Sequence, residues 1–462
     1  MSADIEKGKI YLEEEKPIIE FPTLVKIFMA FMALGAGLSL LFLPWYIALF
    51  LFIGLALTVA IFLNLYIGIL IFLVGAFFHP TYWFPQLQAL HLARNLAFGV
   101  LFLWGFHTII YRDFRLVKAP QNIFMLLFFS LAFCTTFRAF DYTFSYFLEF
   151  SAKALVLYFA IANLIRKRQE IIFLVWFLVG ISFISALVGI YQYIHGIGVY
   201  YAEEGIVRIS GLAEDANVYA MDLAISLPMA IALFFCYEKP IVKIITAGIV
   251  SILIVTIILT YSRAGLIQLL SVLFFSVGIR IFQKRKLLGT LAFIAAMVIF
   301  LPLVPEKYIE RAKTITQFSD PAIGKRLAGW KVGLGLISEH PFSGVGFGMF
   351  RYTFLLRAVT TEDTPYKQAL DAHNLYIHTG AEMGIGGLLL LLVLLFLTLR
   401  DLRMVKKIFK EKNDFLLAEI SSAVQISLLV YLLGGMFISY LQLLIFWIML
   451  PIAVALKQLA TE

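Results

Sequence analysis

Apolar runs close to the thickness of a bilayer's hydrocarbon core recur along this chain, and they constrain its fold more than any other feature. A helix needs about 20 apolar residues to cross that core, where every backbone N–H and C=O must be satisfied within the protein. Candidate spans fall at roughly 24–43, 45–62, 64–78, 90–110, 120–137, 148–165, 171–191, 216–236, 242–260, 264–281, 287–304, 374–399, 416–436 and 438–457. Pro44 and Asn64 are the expected breaks in the first long apolar stretch, so the reading is 12 to 14 transmembrane helices. Composition agrees. Of the 462 residues, 62% are hydrophobic and 14% charged, and mean hydropathy is +0.93, whereas soluble domains carry about a quarter charged residues. The expected fold class is an all-α polytopic membrane protein.

Basic clusters orient the bundle. "RDFRLVK" (112–118), "RKR" (166–168), "EKPIVK" (238–243), "RIFQKRK" (280–286) and "RDLRMVKKIFKEK" (400–412) occupy every second loop, which the positive-inside rule makes cytoplasmic. The alternate loops, 79–89, 138–147, 193–215, 261–263 and the long 305–372, are then external, with both termini cytoplasmic. The N-terminal "MSADIEKGKIYLEEEK" is too acidic and polar for a cleavable signal peptide, so residues 1–23 read as a cytoplasmic tail and the first span as its own insertion signal. Cys134 and Cys236 sit within expected spans and make no disulfide framework. The net charge of +8 is dispersed in short loops, which topology explains, so nucleic acid is not an expected partner.

Ionisable groups at the ends of spans are costly and usually face a protein interior or a water-filled cavity. Arg263, in "TYSRAG" (260–265), stands on the side that the positive-inside bias disfavours. Its two readings are snorkelling to headgroups and bidentate binding of phosphate, and the second suits a guanidinium better there. In "VRISGLAEDANVYA" (207–220), Asp215 or Asn217 is expected to cap the following helix, while Arg208 is either an exposed charge or an anion contact. "ALDAHNLYIHTG" (369–380) places His373 and Asn374 at the mouth of a span. Asp371 or Asn374 serves as a cap, which leaves His373 unaccounted for, and a histidine suits proton transfer near neutral pH. Asn374, His378 and Glu382 recur every four residues as a polar stripe, and Gly380, Gly384 and Gly387 form a small-residue packing stripe. The run 326–340 has amphipathic character. "GVGFG" (344–348) lacks the Lys and Ser/Thr of a nucleotide loop and reads as a turn, with Phe342, Phe347 and Phe350 directed to the membrane interface. His373 and His378 are five apart and there is no Cys/His cluster, so no metal site is expected.

Four motifs occur in order: "R-x-x-G…D-A-N" (208–217), "T-Y-S-R-A-G" (260–265), "G-W…H-P-F-S-G-V-G-F-G" (329–348) and "H-N…E-M-G-I-G-G" (373–387). Over about residues 180–400 the chain resembles the O-antigen ligase family, which is related to lipid-linked O-antigen and exopolysaccharide polymerases. The resemblance implies a type C-like membrane glycosyltransferase. Such an enzyme moves a glycan from undecaprenyl pyrophosphate to an acceptor hydroxyl at the periplasmic face of the inner membrane, without a metal, cofactor or nucleotide sugar. His373 is similar to the family's catalytic histidine, Arg263 to the arginine of its S-R motif and Arg208 to the arginine before "D-x-N". Arg326, ahead of Gly329-Trp330, is a looser match, and Asn217 and Asn374 complete the expected substrate-binding set. Ala216 stands where the family often has proline, which bears on how the helix after Asp215 begins.

The expected domains are an N-terminal transmembrane region at 24–192, a ligase core at 193–400 with the loops 193–215 and 305–372, and a C-terminal hairpin at 401–462. The chemistry is consistent with this. Displacing a pyrophosphate from an anomeric carbon needs cations for the leaving group and a base for the acceptor. The polyprenyl tail and surrounding membrane lipids need an apolar groove, which the amphipathic segment after Arg326 supplies. The acceptor is lipid A–core for a ligase and a second lipid-linked glycan for a polymerase, and a protein hydroxyl is a third possibility. A secondary transporter would explain intramembrane arginines too, but its usual paired halves are missing here.

Overall fold

The computed structural model describes residues 34, 54, 58–62, 64–77, 92–111, 116–201, 206–213, 215–278, 321–360 and 364–461. By internal contacts the chain divides into two compact units, residues 1–68 with 99–116 and residues 69–98 with 117–462. The expected span 287–304, all of 24–43 except residue 34, most of 45–62, the Pro44 break and the loop 79–89 lie outside the described residues.

Helices α1 (Leu65–Phe77) and α2 (Leu92–Tyr111) come first. Asn64, expected as a break, caps α1 by accepting the Tyr66 N–H at 3.1 Å. The remaining helices are α3 (Pro120–Thr136), α4 (Phe140–Leu164), α5 (Arg168–Ile194), α6 (Ala216–Cys236), α7 (Pro240–Leu259), α8 (Arg263–Leu273), α9 (Pro321–Glu339), α10 (Phe350–Thr360), α11 (Leu375–Glu411), α12 (Phe415–Gly434) and α13 (Leu444–Thr461). The strands β1 (Val199–Tyr201) and β2 (Ile206–Arg208) form a small antiparallel hairpin between α5 and α6. Among the described residues, eight helices are long and apolar enough to cross a membrane. The protein is an all-α, multi-pass membrane protein.

The starts of these helices follow local chemistry. Pro120 and Pro240 occupy first-turn positions, where no N–H is needed. Asp215, Ser262, Asn374 and Asp414 each accept backbone N–H groups at the start of α6, α8, α11 and α12. The most enclosed span is α6, which packs against α5, α7, α8 and α12, while α11 packs against α3, α9, α12 and α13. Between α3, α4 and α13 the rings of Phe128, Phe129, Phe150 and Trp447 interlock at centroid distances of 5.2–5.9 Å. Close packing of this kind, rather than a hydrophobic drive, holds helices together in lipid.

The structure corrects four expectations. The segment 138–147, expected as an external loop, is a 3-10 turn (Phe137–Ala139) and the first turns of α4. Its polar residues are satisfied locally, as Thr143 Oγ1 reaches Thr136 O at 3.2 Å and Ala139 O at 3.1 Å. Phe347 and Phe350, expected at the interface, are 1% and 0% exposed, whereas Phe342 is 86% exposed. The last span starts at Leu444 rather than 438, because residues 435–443 turn back toward the start of α11.

Finally, the span 374–399 is not one continuous helix. Gly384 has φ 69° and ψ −178°, breaking α11 in two. The hydrogen bond that would have closed from Ile385 N to Ala381 O is exchanged: Ile385 N donates to Pro341 O (2.7 Å), and Ala381 O accepts from Val345 N (2.8 Å). Glu382 O likewise takes Gly346 N at 3.0 Å. Non-helical backbone at membrane depth is tolerated only where protein or a cavity satisfies it, and residues 341–346 do so here. Gly344 must be a glycine, since its φ is 59° and a Cβ would lie 2.2 Å from Glu382 O.

Candidate functional site

Two helix starts at one end of the bundle are built alike. At α11, His373 takes a left-handed conformation (φ 46°), and Asn374 follows as the cap, its Oδ1 accepting Tyr376 N and Ile377 N, both at 3.0 Å. At α8, Tyr261 (φ 52°) precedes the cap Ser262, whose Oγ accepts Gly265 N at 3.1 Å. A non-glycine residue in that conformation costs on the order of 1–3 kcal/mol and persists only where its surroundings impose it. Around His373 they do. Leu375 N donates to Gly435 O at 2.7 Å and Tyr376 Oη to Leu432 O at 2.7 Å, pinning α11 to the end of α12. From α9, Gly329 lies so close that a Cβ would stand 2.7 Å from Asp371 O.

The α8 start leads to Arg208. Asn217 Oδ1 accepts from Ser262 Oγ at 2.8 Å and from an Arg208 terminal nitrogen at 2.9 Å, and Arg208 Nε donates to Thr260 O at 2.8 Å. Gln192 fixes the turn between Arg208 and α6, accepting Ser210 N (3.1 Å) and Gly211 N (2.8 Å) and donating to Gly211 O (3.0 Å). Of the two expected caps, Asp215 is the one that caps α6, which leaves Asn217 for this network.

His373 and Asn217 open onto one cavity of about 560 Å³, together with Asp215 and Asp371. Arg351 and Lys153 bring cations to its wall, and Asp222, His378, Glu382, Tyr146, Tyr440 and Gln442 bring further polar groups. Burial, reinforced by the Arg326 charge, holds the His373 pKa below the ordinary histidine value, against the opposing pull of Asp371 and Asp215. The shift favours the neutral, proton-accepting imidazole near neutral pH. Arg208, expected to hold a donor directly, is 2% exposed and lines no part of the cavity. Neither Arg263 nor Arg326 lines it, although Arg326 acts electrostatically on His373 and Arg263 is the first residue of α8 after the Ser262 cap. Asn374 is buried as a cap.

The expected stripe of Asn374, His378 and Glu382 is thus divided between tasks. His378 Nε2 lies 3.2 Å from Glu382 Oε1, which also accepts Phe350 N at 3.0 Å, tying α11 to α10. The sequence reading passed over Lys153, Asp222 and Arg351. An ionisable residue inside an apolar helix is the signal that marks the first two, Lys153 with Glu149 one turn before it. Among the described residues, no group of three or more His, Cys, Asp or Glu could hold a metal ion.

A search of curated proteins finds no match to the chain. Residues 248–392, which include Arg263, Arg326, Arg351, His373, the Gly344 turn and the broken half of α11, match the family model described as O-antigen ligase. On that match, this stretch of the membrane protein is similar to the O-antigen ligase family, whose function is of the ligase or polymerase type.

Proposed function

We propose that the protein transfers a glycan from an undecaprenyl-pyrophosphate-linked donor to a hydroxyl of lipid A–core, at the periplasmic face of the bacterial inner membrane. The observation that carries this reading is a partly buried His373, its pKa held down by burial, on the wall of a polar cavity within a membrane bundle. In this scheme His373 takes the acceptor's hydroxyl proton and the freed oxygen bonds to the anomeric carbon. The bond from that carbon to the diphosphate oxygen breaks, and the negative charge departs on the polyprenyl diphosphate. Asn217 orients the donor from the cavity wall, and Arg208 positions Asn217 through their hydrogen bond. Arg263 and Arg326 add positive potential at this end of the bundle, while Asn374 fixes the backbone next to the base. The reaction core is residues 193–400, completed in the cavity wall by α4 and residues 437–445.

The test uses purified protein, lipid-linked glycan donor and lipid A–core. His373→Gln is expected to lower transfer by about 10²–10⁴-fold, the usual contribution of a general base, with the melting temperature unchanged. Full transfer by the folded variant refutes the base assignment. Product size separates the related polymerase activity, because chain growth on the lipid carrier without transfer to lipid A–core identifies a polymerase.

A further inference from the structure

We infer that Arg351 and Lys153 are the side chains that grip the diphosphate of the lipid-linked donor, an inference that rests on the proposed glycan transfer. Among the described residues they are the arginine and the lysine that line the cavity onto which His373 opens. Arg208, Arg263 and Arg326, the arginines suggested by the motifs, do not line it. The two cations reach one cavity because of how α10 is seated. Phe347, just ahead of α10, packs on Tyr146, Phe147 and Phe150 of α4 at centroid distances of 5.6, 6.0 and 5.6 Å. Arg351 follows Phe347 by four residues and Lys153 follows Phe150 by three, so both come off the same α4–α10 seam.

Each cation has a carboxylate beside it. Lys153 Nζ is 2.7 Å from Glu149, one turn earlier on α4. Arg351 Nε is 3.8 Å from Asp371, too long for a hydrogen bond, and its side chain is 63% exposed. Arg351 is therefore near the segment that carries His373 without being fixed to it. This arrangement suits the reaction. The leaving diphosphate is attached to the carbon that the acceptor attacks, so its cations belong within a few ångströms of the base. A guanidinium meets two phosphate oxygens in a bidentate fork, and a lysine within a span adds a point charge for the second phosphate.

The experiment measures binding of undecaprenyl diphosphate and undecaprenyl monophosphate to the full-length protein in detergent, together with the KM for the glycan-linked donor. Wild type is expected to prefer the diphosphate. Arg351→Gln is expected to raise the donor KM about tenfold or more, the loss of one charge-assisted contact, and adding Lys153→Gln should abolish the diphosphate preference. Arg351→Lys should recover part of the affinity. An unchanged donor KM and an unchanged preference in Arg351→Gln overturn the inference. Since Arg351 is largely exposed, that variant carries the test even if the Lys153 change prevents folding. Transfer by wild type is read in the same preparations. Its absence refutes the proposed function, while the diphosphate preference still decides the role of the two cations.

Discussion

At the scale of single residues, His373 owes its chemistry to what surrounds it. Burial and the Arg326 guanidinium both disfavour the imidazolium, while Asp371 and Asp215 favour it. A lowered histidine pKa means that the basic form survives to lower pH, so the acid limb of kcat/KM should lie below about 6.5, the unperturbed value. Asp371→Asn removes an anion that raises the pKa, and the limb should move further to acid; a pH profile of donor turnover that moves the other way contradicts the assignment. The place of His373 ahead of a capped helix was legible in the sequence, because capping accounts for Asn374 and leaves the histidine over. The surroundings of Arg208 were not. Its partners Asn217 and Thr260 lie on segments that the sequence does not show meeting, and only the fold reveals a guanidinium buried between two helix ends. Lys153, paired with Glu149, and Asp222 disappeared into hydropathy averages, although an ionisable residue in an apolar run is itself a signal.

At the scale of elements, the broken α11 is the decisive feature. Beyond His378 and Glu382 its run is apolar and long, so the sequence reads as one span with glycines for packing, and nothing local distinguishes Gly384 from the neighbouring glycines. The break depends on Pro341–Gly346, about forty residues earlier, delivering the backbone groups that α11 lacks. Gly344 is the tightest point of that exchange. Gly344→Ala combines a left-handed backbone, worth about 1–3 kcal/mol on its own, with a Cβ placed 2.2 Å from Glu382 O. A clear drop in melting temperature with loss of glycan transfer is expected. Retention of both would mean that the strand is not held as described. The loop expected at 138–147 was misjudged for a related reason. Polar residues lower hydropathy whether or not the chain leaves the helix, and here Thr143 satisfies itself inside one.

At the scale of the molecule, the ends of the second unit differ in kind. At the end away from His373, Asp401 is 1% exposed at its side chain and joins Lys457 (2.8 Å), Arg400 (2.9 Å) and Gln121 (3.0 Å), locking α3, α11 and α13. Breaking a buried ion pair costs about 3–5 kcal/mol, and because Lys457 and Arg400 keep some exposure, Asp401→Ala should fall at the lower end. Thermal melting in detergent checks this, with transfer at low temperature expected to survive. The helical membrane class and most described spans were readable from run length alone, because lipid imposes it. The sequence singles out the His373 end through its histidine and motif arginines, of which His373 lines the cavity and Arg208, Arg263 and Arg326 do not. The splice at Gly384 has a mechanical consequence for that end. Spanning helices tilt as bilayer thickness varies, yet the half of α11 that follows His373 shares its backbone partners with the segment leading to Arg351. On the proposed roles, base and cation are therefore carried by segments that share backbone hydrogen bonds, so a tilt of that half-helix moves the two together.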